Sequence, residues 1–578
     1  MNKNIIKYGV LFCGAAMMLA SCNDLLDKEP LDQFQNNPDF WNEESSVEVY
    51  ANEFYGEFLG YGHGSTLGNF YFKTLSDDQA GREFTNWANV NIPATSTNWS
   101  NPYEMIRHAN VMIEELQNST LDPTIKNHWL GVARMMRAYE FYTLVRKYGN
   151  ATWVDKPLDV ADDAYLYGAR TDRDEVMDHV LDDLNFATSN INESKSKITW
   201  SRAMANAMKS DICLWEGTFR KYRSAADGQK APDLAGAQKF LNACVEASEY
   251  LFGKFSLTNN YHAIYTSTDL TNNSEIIMFK SYKQDIFGHS TIAYISSSTQ
   301  ISGMTKDAFD SYLFLDGKPK GLTSENTTDL GVVNSDNHID ISNLLAVRDQ
   351  RLAATIDPIV FYSGNTWSRT SGGQQMTSST GYGVCKYDDT ETFSNEYRNQ
   401  TTKNYTCAPV YWLSVVGLNM VEAKAELGTL TDDDLIKCVN PLHARAGLPD
   451  VTVASLSGMN DPANNMGVSS LIWEIRRERR CELMFDNDYR YWDLVRWHQL
   501  DKLDSSKYPN ILLGANISNA PQLKDKEGKD IAKPDMVGNY MDGSKELTRT
   551  YDKKQYYYPI PSRQLTLNPK LGQNPGWE

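Results

Sequence analysis

The chain has 578 residues, enough to bury a large core, and a formal charge of −18 from 74 acidic and 56 basic side chains. That balance repels nucleic acid and anionic lipid surfaces and argues against a polybasic DNA- or RNA-binding role. None of the eight cysteines is spaced C-x-x-C, which removes the metal and redox motifs built on that spacing.

At the N-terminus, Lys3 and Lys7 precede an uncharged apolar stretch from Tyr8 to Ala20. It is too short to span a bilayer and reads as a signal-peptide core. It ends in Leu19-Ala20-Ser21-Cys22, which resembles the lipobox of bacterial lipoproteins. The resemblance implies removal of residues 1–21 and lipid attachment at Cys22. Cleavage removes two lysines and leaves −20. Residues 22–40 are polar and read as a tether. Beyond Cys22 no apolar run approaches the roughly 18 residues a spanning helix needs. The mature chain is therefore expected to be lipid-anchored, not threaded.

Amphipathic periodicity predicts helices at about 102–118, 127–148, 173–189, 201–220, 236–252, 410–428, 431–446 and 468–486. The 127–148 segment is apolar on two faces: Trp129, Val132, Ala133 and Met136 on one, Met135, Ala138, Tyr142 and Val145 on the other. Such a helix lies between neighbours. Thr431 before three aspartates marks an N-terminus, and Gly428 and Gly447 mark stops. Pro441 is expected to distort its helix. Residues 60–100, 260–410 and 504–560 are rich in Gly, Asn, Ser, Thr and aromatics and read as long ordered loops with short strands. No free hinge interrupts residues 41–578. The expected fold is mainly α: tetratricopeptide-like helical hairpins with long interspersed loops, in one large compact unit.

Glu478 and Glu482 share a helix face with Leu471, Ile475 and Phe485, and two close acids suit glycoside hydrolysis. Arg479, Arg490 and Arg496 are nearby, however, and buried charges are normally paired. A structural ion-pair network is the expected reading, and no catalytic residue is assigned. The nine histidines lack metal-ligand spacing. Asp486-x-Asp488 and Asp525-x-Glu527-Gly528 are fragments of calcium loops without a closing glutamate, so no cofactor is expected beyond an occasional structural Ca2+. Gly62 to Gly68 reads as a flexible loop, and Cys385 and Cys407 lie where they could pair.

Sugars present an apolar face of C–H groups and a rim of hydroxyls, which suits aromatic platforms flanked by polar side chains. The aromatic loops supply candidates: Tyr71, Asp78, Arg82, Asn86 and Trp87 in one stretch, and Tyr282, Trp367 and Tyr382 in another. Trp87 is the leading platform, and Trp99 is assigned to the core.

Several segments carry a family resemblance. They are Cys22-Asn-Asp24-Leu-Leu26-Asp27-Lys-Glu-Pro30; Trp99-x-x-x-Tyr103-x-x-Ile106-x-x-Ala109-Asn110; Arg348-Asp349-x-Arg351-Leu352; Asn440 through Arg445-Ala446-Gly447-Leu448; Glu478-Arg479-Arg-Cys-Glu482-Leu483; Arg490-Tyr-Trp492-Asp493; and Tyr558-Pro559-Ile560-Pro561 with Asn574-Pro575-Gly576. In this order they resemble the SusD/RagB family. The resemblance implies an α-rich fold, with an N-terminal part at about 41–260 and a C-terminal part at about 261–578. It implies display on the outer membrane, non-enzymatic capture of a glycan or sometimes another nutrient, and transfer to a SusC-like TonB-dependent transporter. It also points to the loop before Trp99 as ligand-binding. Trp412, where the family often has arginine, and Asp486-Asn487-Asp488, where Glu-Gly is usual, depart from the pattern. The alternatives are a glycan hydrolase and a structural or adhesive surface protein.

Overall fold

The computed structural model describes residues 38–297, 301–362 and 367–578. The signal segment, Cys22 and most of the tether lie outside them. The helices of eight or more residues are α1 Glu44–Ala51, α2 Thr97–Asn118, α3 Pro123–Tyr148, α4 Arg173–Asn190, α5 Arg202–Tyr222, α6 Leu234–Phe252, α7 Leu413–Leu427, α8 Asp432–Ala446, α9 Ser470–Glu482 and α10 Tyr489–Arg496. Consecutive helices α2 to α6 pack as antiparallel neighbours, and α7 closes the layer against α5, α6 and α9.

Local chemistry sets these boundaries. Asp122, Asp172, Ser201 and Asp233 each accept a backbone N–H in the first turn of the helix that follows. Pro123 opens α3, where its missing N–H costs nothing. The two-sided apolar pattern of α3 puts Val132, Met135, Met136, Ala138, Phe141 and Leu144 in the core. Gly217 in α5 permits close packing, since a Cβ there would lie 2.7 Å from Leu241 Cγ on α6.

Two local expectations are corrected, at residues 408–412 and 62–68. Residues 408–412 form a strand, antiparallel to Ile276–Lys280, and α7 starts only at Leu413. All five residues are buried, so the run has no helical period, and its Val, Tyr and Trp favour a strand. Helix α8 runs unbroken through Pro441. A mid-helix proline costs about 3 kcal/mol, whereas burying Leu435, Cys438, Val439 and Leu442 contributes roughly 1.5–3 kcal/mol each. Gly62–His63 and Thr66–Leu67 pair as a tight hairpin, pinned by the Tyr282 hydroxyl donating to the Gly62 carbonyl at 2.7 Å.

The loop segments are held by short strand pairs. Gln79–Gly81 joins Ser302–Met304, and Leu513–Asn516, Tyr540–Asp542 and Met536–Val537 form a three-stranded sheet. They enclose a second apolar core beside the helical one, and Trp99 sits in the helical core as expected. Cys385 and Cys407 are free thiols, near the carbonyls of Ala354 and Thr268 respectively.

Two buried histidines make the fold acid-sensitive. Burial pushes His289 down to about 3, against the pull of its Thr406 partner, and pushes His498 down to about 4, with Arg223 adding to the effect. A depressed folded pKa gives stability that is complete above about 6.5 and drains as the pH falls below it. At pH 5 each ring withholds roughly 2 kcal/mol. Thermal midpoints are expected to fall between pH 7.5 and 5, with a shallower slope for His289→Gln. A flat profile in the parent protein contradicts this.

Candidate functional site

Helix α9 organises both the interior and the candidate site. Its Ser469 cap accepts the Ile472 N–H and fixes the helix start. Trp473, Arg476, Arg477 and Arg480 recur at i, i+3, i+4 and i+7, so they share one face. That face forms one wall of an open groove of about 540 Å³. The short helix Lys306–Ser311, residues 319–321, 461–466 and 502–511, and the start of α10 complete it. Pro462, Ala463, Asn465, Lys507 and Asn510 are exposed at its rim.

Two half-buried aromatics, Trp473 and Tyr508, line the groove. Trp473 donates its indole N–H to Asp461 Oδ2 at 3.0 Å. The Tyr508 hydroxyl accepts from Lys502 Nζ at 2.7 Å, and that ammonium lies 4.4 Å from the ring centroid. Both rings are thus held by polar partners. The floor is charged. Arg490 forks onto Asp77 with two bonds of 2.7 Å, and Arg480 reaches Asp78 at 2.7 Å and Asp307 at 2.8 Å. Burial alone would raise Asp77, but Arg480 and Arg490 beside it hold its carboxyl well below the usual range. Burial wins at Asp78, whose carboxyl is raised although Arg480 opposes it.

The aromatic-loop candidates are distributed otherwise. Trp87 is 7% exposed, and its indole N–H donates to the Thr550 carbonyl at 2.7 Å. Tyr71 is enclosed and receives the N–H groups of Ile301 and Ser302. Tyr282 pins the hairpin, and Tyr382 stacks on Phe309 at 4.8 Å, behind the short helix of the groove. These four rings therefore shape loops and present no open face to a ligand. The reason is physical: a large ring in an ordered loop gains more from burial than from exposure. Asp78 is also buried, yet it backs the groove through Arg480. Arg82 and Asn86 are exposed and Trp367 is half-buried against Phe361. The structure does not bring the eight residues into one cluster. Sequence reasoning missed Trp473, Tyr508, Arg480 and Arg490. The signal for Trp473 and Arg480 was the aromatic–arginine face of α9, hidden beside the more conspicuous Glu478/Glu482 face.

Those two glutamates are buried in an ion-pair network, but with different partners from the expected ones. Arg351 donates to Glu478 at 2.6 Å and to Glu482 at 2.9 Å; His443 meets Glu478, and Arg445 bridges Glu482 and Glu275. Arg479 instead pairs with Asp493, Arg490 with Asp77, and Arg496 with Glu422. Closeness in sequence misled here, because a helix turns about 100° per residue and Arg479 faces away from Glu478. Of the calcium-loop fragments, Asp486 is taken by Lys386, Tyr265 and Tyr387, and Asp488 accepts the Trp492 indole N–H. Asp525 closes a local turn. Among the described residues no cluster of three acids, histidines or cysteines is placed to hold a metal.

A helical scaffold thus carries a loop-walled, aromatic and charged groove, the kind of concave site that suits a ligand. Comparison with known proteins gives the family. Residues 258–577, more than half of the chain, match the SusD family, and residues 26–213 match a family described as "Starch-binding associating with outer membrane". The chain belongs to the SusD family, whose members are carbohydrate-binding and associated with the outer membrane. A SusD-like protein P38 from Formosa agariphila is 28% identical over 137 residues, which is 23% of this chain and 26% of that protein's length. Two solved structures from Bacteroides fragilis share the fold. A SusD-like protein has 21% identity, covers 95% of this chain and 100% of its own, and gives a TM-score of 0.66. A SusD-like carbohydrate binding protein has 20% identity, covers 92% and 99%, and also gives 0.66. Among the described residues no helix is long and apolar enough to cross a membrane.

Proposed function

We propose that this protein is a surface lipoprotein that captures an oligosaccharide in the α9 groove and delivers it to a SusC-like TonB-dependent transporter. The observation that carries the reading is that Trp473 and Tyr508 both line an open groove of about 540 Å³. Ligand pockets typically run from about 300 to 1,000 Å³. A flat ring stacks on the C–H face of a sugar, and its polar neighbours take the hydroxyls. Both aromatics are already fixed, so little side-chain entropy is lost on binding. Lipidation at Cys22 would hold the groove at the cell surface beside the transporter. The chain works as a binder, since Glu478 and Glu482 are shielded from any substrate.

Alanine at Trp473 and Tyr508 together is expected to weaken oligosaccharide binding by on the order of 100-fold in calorimetry. The melting curve should stay near that of the parent. Arg82, Asn86 and Trp367, the reachable members of the loop set, form the comparison triple mutant. Should that triple, and not the groove pair, abolish binding, the ligand sits on the loops. Recovery of the protein from outer membranes without a transporter would remove the delivery role, and reducing-sugar release by the pure protein would favour a hydrolase.

A further inference from the structure

We infer that the groove reads an acidic oligosaccharide, one bearing carboxylate or sulfate groups, through the outer edges of Arg480 and Arg490. This rests on the glycan-binding reading above and narrows its ligand class. The chain as a whole carries −18, and of the basic side chains on the groove wall Lys320, Arg476, Arg477, Arg480 and Arg490 are paired with carboxylates. Lys502 and Lys507 have no ion-pair partner among the described residues, so an anionic substituent would be drawn to their side of the groove.

The arginines are the specific element. Arg490 spends Nε and Nη2 on Asp77, and Arg480 spends Nε on Asp78 and Nη2 on Asp307 and the Asp77 carbonyl. Among the described residues the Nη1 of each donates no hydrogen bond. Both side chains are about nine-tenths buried, so each guanidinium is clamped from behind. Arg490 keeps a second N–H edge, Nη1 with Nη2, matched to a carboxylate or sulfate, whereas Arg480 keeps only Nη1 because its Nη2 serves Asp307 and the Asp77 carbonyl; clamping removes the entropy cost of ordering both. Lys502 strengthens the site. It is buried, its ammonium is held by the Asn465 carbonyl and the Tyr508 hydroxyl, and no carboxylate pairs with it among the described residues. Lys507 lies exposed at the entrance. A sugar stacked on Trp473 or Tyr508 in the same groove would bring an acidic substituent near these donors.

Isothermal titration of the full mature chain tests this with three probes of equal length: an oligogalacturonate, a sulfated galactan fragment and a neutral malto-oligosaccharide. At least one acidic probe is expected to bind tenfold or more tightly than the neutral one and to weaken about tenfold in 0.5 M NaCl. The two acidic arms distinguish carboxylate from sulfate. Arg480→Lys and Arg490→Lys keep one positive charge beside Asp77 and Asp78 but lose the planar fork and its free Nη1, and each should cost the acidic probe about tenfold. Lys507→Glu, at an exposed rim position, should do the same without disturbing the fold. Equal binding of the neutral probe, abolished by Trp473→Ala and indifferent to Lys507→Glu, overturns the acidic class and leaves the glycan reading standing. Failure of every oligosaccharide to bind in a manner sensitive to Trp473→Ala overturns the glycan reading itself.

Discussion

Replacing Arg351 with methionine is expected to destabilise the protein by about 3–5 kcal/mol at pH 7.5, the cost of breaking a buried ion-pair network by removing one partner. Arg351 is 1% exposed and bonds Asp349, Glu478 and Glu482 together. Its removal leaves three buried carboxylates with fewer partners. Arg445 still holds Glu482 and His443 still meets Glu478, so Asp349 bears most of the loss. The deficit should depend on pH with a definite sign. Burial would raise Glu478, but Arg351 and His443 hold it well below the carboxylate range. Its contribution is therefore present above about 4.5 and disappears as the pH falls through the depressed folded value. In the variant the freed carboxylates protonate more easily, so the gap between variant and parent narrows toward pH 5. Urea denaturation at both pH values checks this. A deficit below 1 kcal/mol, or one independent of pH, would show that Arg351 is not the keystone of the network. The same experiment separates scaffold from catalysis, because Glu482→Gln should lower stability without changing any sugar-release assay.

The sequence made the helical scaffold legible for a physical reason. Helix cores repeat every 3.6 residues and carry their caps within a few positions, so Asp122, Ser201, Thr431 and Gly447 announce boundaries locally. The family motifs report the same scaffold: Arg351, Arg445, Glu478 and Glu482 turn out to be partners in one network across 130 residues of chain. That network was foreseen in kind and not in its pairs, since only the fold brings Arg351 to α9. The ligand site was less legible. Trp87 and Trp473 look alike in a string of letters, both tryptophans beside polar residues. One is covered by residues 550–551 and the other lies beside an open groove. Exposure at such positions is decided by distant segments meeting, and no local pattern records it. Asp78, one of the sequence candidates, lies one layer behind the groove as a carboxylate bonded to Arg480.

Loss of Lys386 should couple stability to the groove. Its ammonium is fully buried, 2.9 Å from both oxygens of Asp486, 2.8 Å from the Met484 carbonyl and 4.1 Å from the Tyr265 ring centroid. Burial pulls Lys386 down and pushes Asp486 up, and each opposes the shift of the other. Lys386→Met strands the Asp486 anion with only the Tyr265 and Tyr387 hydroxyls, at a cost of about 3–5 kcal/mol near pH 8. Asp486 already has a raised folded pKa, and losing the ammonium raises it further. A raised carboxyl gives stability below its folded value, so the variant should gain ground on the parent as the pH falls from 8 to 5.5. The double variant with Asp486→Asn should cost less than the two single losses added together, because the stranded charge is gone. Additive losses, or a deficit that ignores pH, would refute the pairing. The turn that this pair secures has left-handed backbone at Phe485, Asn487 and Asp488, and it leads directly into α10 and Arg490. Loosening it should misplace the Arg490 fork on Asp77. Lys386→Met is thus expected to weaken the acidic oligosaccharide several-fold at a pH where the variant is still folded, with the double variant restoring part of that affinity.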